Sequence, residues 1–155
     1  MRDVRKHSKS RDPRIPPPTS AAVSKSMRSN RGKGTGPEMN LRSHLWENGI
    51  RGYRCHLKTV PGRPDIAFPR KKVAIFINGC FWHRCQTCRL PTPKSHREYW
   101  KKKFRSNVAR DRRNIRVLED QGWLVLTIWE CEIKDNIESC LTSIFDAIET
   151  GDAQP

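Results

Sequence analysis

Four cysteines constrain this chain more than any other feature of its sequence. Cys80, Cys85 and Cys88 lie within nine residues, in the stretch NGCFWHRCQTC, and 42 residues separate the last of them from Cys131. A tetrahedral zinc ion takes four soft ligands of this kind, and a C-x-x-C turn supplies two of them with little strain. The pattern therefore predicts a closed, structural zinc site that ties this loop to a distant part of the chain.

The cysteine spacing leaves alternatives open. His83 lies inside the same stretch, so five side chains compete for four ligand positions. The alternative hypothesis is that the cysteines are buried or free thiols that bind no metal. Cys55 and Cys140 fall in a predicted strand and a predicted helix, where a cysteine is usually a small core residue. Because no apolar leader or membrane-spanning run is visible, we expect reduced thiols and a cytoplasmic, nucleoid-associated protein.

Positive charge is concentrated in two segments. The formal net charge is +15. Residues 1–36 carry ten Lys or Arg against two Asp, and residues 94–116 carry ten against two acidic residues, so each segment has a net charge of +8. Neutralising phosphates releases condensed counterions, and such segments therefore favour a nucleic acid partner over a merely solvated, solubilising surface.

Composition and charge divide the chain into one domain and two tails. Residues 1–23 are basic, rich in Pro and Ser and poor in apolar residues, and are predicted to be disordered. Residues 24–150 form the predicted domain, whose first part, 24–36, is an N-terminal arm that contacts DNA. Residues 151–155 are a short C-terminal tail. A hydrophobic content of 35% is enough for one core in a chain of this length.

The first half of the domain is predicted to contain one helix and three strands. The helix lies in PEMNLRSHLWENG, where Leu41 and Leu45 share a face and Gly49 ends it. The strands are YRCHL, DIAF and KVAIFIN, and the last is apolar on both faces, as a central strand should be.

The second half is predicted to contain helix, strand and helix. A long helix runs from a cap at Ser95 to about Gln121, WLVLTIWE is a strand that ends at Cys131, and DNIESCLTSIFDAI is a helix with Asp135 and Glu138 as a capping-box-like pair. The order αβββαβα predicts an α/β fold with a mixed sheet and helices packed against it.

Acidic residues mark a possible second metal site. Asp65 is the last residue of the PGRPD turn and begins a strand, and Glu38 lies in the first helix. Asp111 lies on the otherwise apolar stripe of the long helix, where a carboxylate is costly without a partner. Carboxylates that converge in a basic protein indicate a magnesium site facing a phosphodiester.

Five motifs together resemble the very-short-patch (Vsr) mismatch repair endonucleases. They are PEM-x-LR, PGRPD, F-x-x-GCFWH, NVARDRR and GW-x-VL-x-IWEC, and they span residues from about 24 to 148 in order. The resemblance implies the restriction-endonuclease-like fold of the PD-(D/E)XK type, with an αβββαβ core. It also implies a magnesium-dependent enzyme that nicks one DNA strand beside a T:G mismatch.

The resemblance implies roles for individual residues. Asp65 and the backbone carbonyl of Ile77 match magnesium ligands, and Glu38 matches a glutamate that reaches the metals through water. His83 matches the histidine that activates the attacking water, and Asp111 matches the aspartate that orients this histidine. The zinc ligands match Cys80, Cys85, Cys88 and Cys131.

The same resemblance implies which residues contact DNA. Met27, Phe81 and Trp82 match apolar residues that wedge into the base stack beside the mismatch, and we assign Arg28 and Arg63 to DNA binding with them. The alternatives are ordinary core packing for the two aromatics and a partnerless tail position for Met27. Mispaired steps unstack more easily than paired ones, so wedging would convert that difference into selectivity.

Two positions depart from the family pattern. Asn78 stands where the family has a second active-site histidine, and an amide cannot carry a proton at neutral pH, so the rate or the metal arrangement is expected to differ. Cys85 stands where relatives often have histidine, and one extra residue precedes Cys88. A thiolate binds zinc equally well.

Two other functions compete with mismatch nicking. One is a zinc-stabilised DNA-binding module with impaired catalysis, in which Asn78 marks decay of the site. The other is a nuclease of the same fold that acts on other lesions or on foreign DNA. For the main hypothesis we expect a monomer that contains structural Zn²⁺ and catalytic Mg²⁺, acts on double-stranded mismatched DNA and has mismatch-repair proteins as partners.

Overall fold

The computed structural model describes residues 15–21, 24–25 and 32–152. Met27 and Arg28, predicted to contact DNA, lie outside the described residues. Over residues 32–152 the elements are, in chain order, α1 Gly36–Glu47, β1 Arg54–Cys55, β2 Ile66–Phe68, β3 Val73–Asn78, α2 Arg97–Asp120, β4 Leu124–Trp129, α3 Glu130–Asp135 and α4 Ile137–Asp152. A 3-10 turn at Pro69–Lys71 joins β2 to β3.

The four strands form one mixed sheet in the order β1-β2-β3-β4. The β1–β2 and β2–β3 pairs are antiparallel, and β3 and β4 are parallel. Parallel neighbours need a crossover connection, and α2 supplies it. The mixed sheet with flanking helices is the predicted architecture, and the predicted central strand KVAIFIN is central in the structure.

Helices cover both faces of the sheet. On one face the larger core cluster joins Leu41 and Leu45 of α1 to Ile66 and Ile75 of the sheet and Ile144 of α4, all fully buried. The other face packs against α2 through a smaller cluster of Val60, Ala74 and Leu118. Burial on both faces explains why β2 and β3 read as continuous apolar runs and not as alternating ones.

Several predicted boundaries were wrong. The strand predicted over YRCHL contains only Arg54–Cys55. The strand predicted to end at Cys131 stops at Trp129, and Cys131 lies in the additional short helix α3. Ser95 does not cap α2, whose N-cap is His96 in a left-handed conformation. At α4 it is the side chain of Asn136, not of Asp135, that accepts the hydrogen bond from the backbone N–H of Ser139.

The loop between β1 and β2 packs closely against α2. Gly62 has a φ of +73°, and a Cβ atom there would lie 2.9 Å from the Cβ of Asn114. Only glycine combines this backbone conformation with so close an approach. The PGRPD turn and α2 therefore lie in direct contact, which brings the start of β2 close to the middle of α2.

Within the described ranges, no helix is long and apolar enough to cross a membrane.

Candidate active site

The register of the parallel pair brings the four cysteines together. Asn78 of β3 pairs with Trp129 of β4, so Cys80 and Cys131 each follow two residues beyond a paired position. The loop after β3 then returns through Cys85 and Cys88 to the same point. The ligand atoms of all four residues lie within 4.8 Å of one another.

The geometry of this cluster suits a tetrahedral metal ion. The Sγ atoms of Cys85 and Cys131 are 3.8 Å apart. That is the edge of a tetrahedron of sulfur atoms with metal–sulfur bonds of about 2.3 Å, and it is far longer than a disulfide of about 2.05 Å. His83 does not belong to the group. Four thiols close the coordination shell, so the cluster fits a structural ion such as zinc.

Backbone amides prepare one of these thiols for a cation. Burial raises the pKa of Cys85, but hydrogen bonds from the N–H groups of Cys88 and Thr87 outweigh it and lower the pKa to about 7. Burial and its neighbouring thiols raise the pKa of Cys131 to about 11. Because thiolates are the ligands, a bound cation would have to hold Cys131 ionised against this preference.

A large open cleft of about 1440 Å³ lies beside the cysteine cluster. Its volume exceeds the roughly 300–1000 Å³ of ordinary small-molecule pockets. The cleft brings together all the predicted catalytic and DNA-contacting residues that the structure describes: Glu38, Arg63, Asp65, Ile77, Asn78, Phe81, Trp82, His83 and Asp111.

Asp65 lies at the floor of the cleft, directly before β2. Its Oδ2 accepts a hydrogen bond from the backbone N–H of Ile77 at 2.7 Å, so this carboxylate is tied to the neighbouring strand β3. Burial and, to a smaller extent, the nearby Glu38 carboxylate raise the pKa of Asp65, whereas the hydrogen bond from Ile77 lowers it. The net result is a pKa of about 6. Burial and the second carboxylate therefore disfavour the ionised form of Asp65.

Glu38 is buried at the N-terminal end of α1. Its Oε2 accepts the backbone N–H of Gly34 at 2.7 Å, and its Oε1 accepts the hydroxyl of Thr35 at 2.9 Å. These bonds satisfy donors at the helix start and hold the carboxylate in one orientation. Glu38 is thus a helix-capping residue as well as a member of the site.

Sequence reasoning missed His56. Its ring lies between two carboxylates, with Nε2 3.3 Å from Glu38 Oε2 and Nδ1 3.7 Å from Asp65 Oδ1. The signal lay in the strand pairing: Cys55 faces Ile66 in the antiparallel β1–β2 pair, so the next residue faces Asp65. His56 has a φ of +50°, a conformation that costs a non-glycine residue about 1–2 kcal/mol.

His83 and Asp111 form a short hydrogen bond between the loop after β3 and α2. His83 Nδ1 lies 2.5 Å from Asp111 Oδ2, and Arg110 Nη2 donates to the other oxygen at 3.2 Å. Burial raises the pKa of Asp111, but the hydrogen bond and charge of His83, together with Arg110, bring it below the ordinary value. An ionised carboxylate only accepts, so Nδ1 of His83 donates this hydrogen bond, and in the neutral imidazole Nε2 has the lone pair.

Aromatic side chains line the wall of the cleft next to His83. The Phe81 ring packs edge-on against Trp82, Trp100 and Phe104, at centroid distances of 5.1, 5.5 and 5.2 Å. Phe81 and Trp82 are half-buried and belong to neither core cluster. The buried amide of Asn107 donates to the carbonyl of Trp82 at 3.1 Å, which holds the loop against α2.

Basic residues surround the cleft. Arg63 is exposed in the PGRPD turn with a φ of +51°. The Lys and Arg residues of α2 are also exposed, and two of them, Lys103 and Arg110, line the cleft. Asn78 ends β3 and lies half-buried in the cleft. The open face of the site therefore carries strong positive charge.

Comparisons with known proteins agree on one family. Residues 18–89 match the family model described as DNA mismatch endonuclease Vsr. The chain is 42% identical over 123 residues to the type II nicking enzyme V.XorIIP of Xanthomonas oryzae pv. oryzae. The aligned region covers 77% of this chain and 89% of that relative. It is 40% identical over 138 residues to the type II nicking enzyme V.NaeI of Lentzea aerocolonigenes, and the aligned region covers 86% of this chain and 80% of that relative.

A further relative carries the family's own name. The DNA mismatch endonuclease Vsr of Escherichia coli is 38% identical over 114 residues, covering 74% of this chain and 72% of the relative. With this identity over most of both proteins, and with the cysteine cluster and carboxylate cleft in one fold, this chain belongs to the Vsr DNA mismatch endonuclease family.

Proposed function

We propose that this chain is a magnesium-dependent DNA endonuclease that nicks one strand beside a T:G mismatch. The observation that carries the proposal is that Asp65 and the His83–Asp111 pair face the same cleft. The mixed sheet with helices on both faces is taken as the restriction-endonuclease-like fold that the family implies. We further propose that the chain acts as a monomer in the cytoplasm and works with mismatch-repair proteins.

Asp65 and the carbonyl of Ile77 are the groups proposed to hold magnesium, with Glu38 acting through water. Oxygen atoms are the donors that Mg²⁺ prefers, and it commonly uses only one or two carboxylates. The raised pKa of Asp65, about 6, supports a cation here, because burial and Glu38 disfavour its charge unless positive charge is added. When bound, magnesium offsets the charge of the scissile phosphodiester and activates water.

His83 is proposed to take the proton of the attacking water at Nε2. Its Nδ1–H donates to Asp111, which fixes the tautomer and the orientation of the ring. The ionised carboxylate also stabilises the imidazolium that forms when the proton arrives. Asn78 can hold a water or a phosphate oxygen but cannot accept this proton, so the proton transfer rests on His83.

Phe81 and Trp82 are proposed to probe base stacking from the cleft wall. Their half-buried position on the cleft wall, outside both core clusters, supports this role. Unstacking a step costs a few kcal/mol, and the exposed Lys and Arg residues of α2 offset that cost through contacts with phosphates. Met27 is proposed to wedge into the base stack from the N-terminal arm, and Arg28 and Arg63 are proposed to contact DNA.

A structural zinc ion is proposed for Cys80, Cys85, Cys88 and Cys131. The cluster joins the loop that carries Phe81, Trp82 and His83 to the start of α3. Rigid attachment of this loop matters because a catalytic group must be held within a fraction of an ångström of its working position.

A nicking assay on a panel of duplexes tests the proposed function. We expect a nick in the T:G duplex with magnesium, little cleavage of other mismatches or of paired DNA, and none with chelator. Equal cleavage of paired and mismatched duplexes would identify a nuclease of broader specificity. Tight binding without cleavage of any duplex would identify an inactive DNA-binding module.

Replacement of His83 by alanine is expected to lower the nicking rate by about 10²-fold or more, the size of a general-base contribution. Zinc content should not change, because the four cysteines close the cluster without His83. The measurements are single-turnover nicking and metal analysis of the purified variant. Loss of zinc in this variant would show that His83 is a ligand and would contradict its catalytic role.

A further inference from the structure

We infer that His56 is a nitrogen ligand of the cation that Asp65 binds, and that Glu38 orients its ring. The inference rests on the proposed function, because it concerns the same cation. It goes further by adding to the site a residue that no sequence motif marked. Ligand atoms of Glu38, His56 and Asp65 lie within 4.8 Å of one another, the second such group among the described residues.

The two ring nitrogens of His56 lie at different distances from their neighbouring carboxylates. The 3.7 Å between His56 Nδ1 and Asp65 Oδ1 is too long for a hydrogen bond. Two donors on one octahedral ion with bonds of about 2.1 Å lie about 3.0 Å apart in adjacent positions and about 4.2 Å apart in opposite ones. The observed separation falls between these values, so one ion can contact both atoms after small adjustments of the side chains.

The other nitrogen faces Glu38. Nε2 lies 3.3 Å from Glu38 Oε2, close to hydrogen-bond distance. A neutral imidazole has one N–H and one lone pair, so donation from Nε2 to Glu38 leaves the lone pair on Nδ1, towards Asp65. Metal-binding histidines commonly donate their second nitrogen to a carboxylate in this way. Glu38 is suited to this task because Gly34 and Thr35 already hold its carboxylate.

The backbone directs the ring into the site. His56 follows β1 with a φ of +50°, and its N–H lies 3.4 Å from the carbonyl oxygen of Asp65. The side chain is mostly buried, with 27% of its surface exposed, and lines the cleft. An imidazole ligand suits transition metals better than Mg²⁺, so the site should favour Mn²⁺ over Mg²⁺ more strongly than an all-oxygen site would.

Electron spin-echo spectroscopy of the full chain loaded with Mn²⁺ tests the inference. We expect modulation from a directly bonded imidazole nitrogen in the wild type and its loss in His56→Asn. Asparagine is the matched replacement because it tolerates a positive φ, and unfolding of the metal-free variant checks that the fold persists. His83→Ala should retain the modulation. Titration calorimetry should show Mn²⁺ binding weakened about tenfold or more in His56→Asn, with a smaller effect on Mg²⁺.

The outcomes separate this inference from the proposed function. If Mn²⁺ binds, Asp65→Asn abolishes its binding, and His56→Asn leaves the nitrogen modulation unchanged, then the ligand assignment is wrong while the metal site stands. If the wild type binds no Mn²⁺, or if Asp65→Asn binds it equally well, then both the assignment and the proposed metal site are wrong.

Discussion

Replacement of Asp65 by alanine is expected to abolish nicking of a T:G duplex and to leave DNA binding largely intact. Asp65 lines the same cleft as His83, and burial raises its pKa to about 6. Without it, the proposed cation loses its main negatively charged ligand. A metal ion contributes several kcal/mol of transition-state stabilisation, so the rate should fall by about 10³-fold or more.

Binding survives in this variant because other residues make the DNA contacts. The exposed Lys and Arg residues of α2 and the aromatic wall remain, and removal of a negative charge from a basic cleft does not oppose phosphate binding. Single-turnover nicking and equilibrium binding, measured at the same salt concentration, separate the two effects. Asp65→Asn is the matched control for shape, and it should be as inactive as the alanine variant. Unchanged nicking in both would remove Asp65 from the metal site.

Loss of the cysteine cluster is expected to have the second large effect, on stability and on activity together. In Cys131→Ser, bound zinc should fall from about one ion per chain to nearly none. A structural zinc site contributes strongly to folding, and its loss should cost about 3 kcal/mol or more and lower the Tm by about 10 °C or more. Nicking should also be lost, because the loop that carries His83 is no longer attached to α3.

Cys55→Ala is the control for this experiment. Cys55 is a half-buried thiol in β1 and does not belong to the cluster, so its replacement should leave zinc content unchanged. Metal analysis, thermal unfolding and nicking of the two variants are compared side by side. Full zinc content in Cys131→Ser, or an unchanged Tm after chelation of the wild type, would contradict a structural metal at this cluster.

Local patterns predicted the main elements because their physical causes are local. Leu41 and Leu45 lie one helical turn apart and are fully buried, and the run KVAIFIN forms the strand β3, which pairs with a neighbour on each side. Errors occurred at element ends, where competing caps differ little in energy. Ser95 and Asp135 are good capping residues by type, but His96 and Asn136 hold those positions.

The partners of individual side chains depended on tertiary structure. The position of Asp111 on an apolar stripe indicated that this carboxylate needs a partner. Only the packing of the loop after β3 against α2 identifies that partner as His83. Similarly, spacing left His83 and four cysteines competing for four ligand positions. The parallel register of β3 and β4 brings the cysteines together, while His83 faces the cleft.

By itself, the sequence determined the order of the elements other than α3, the concentration of positive charge, the cysteine set and the family motifs. Each of these depends on residue type and on short spacing. Only the tertiary structure decided that His56 lies between Glu38 and Asp65. Its role has no signature in composition or helical period, because it arises from three segments that meet: the start of α1, the end of β1 and the start of β2. Contacts between distant segments depend on strand register and helix packing, which a single residue pattern does not encode.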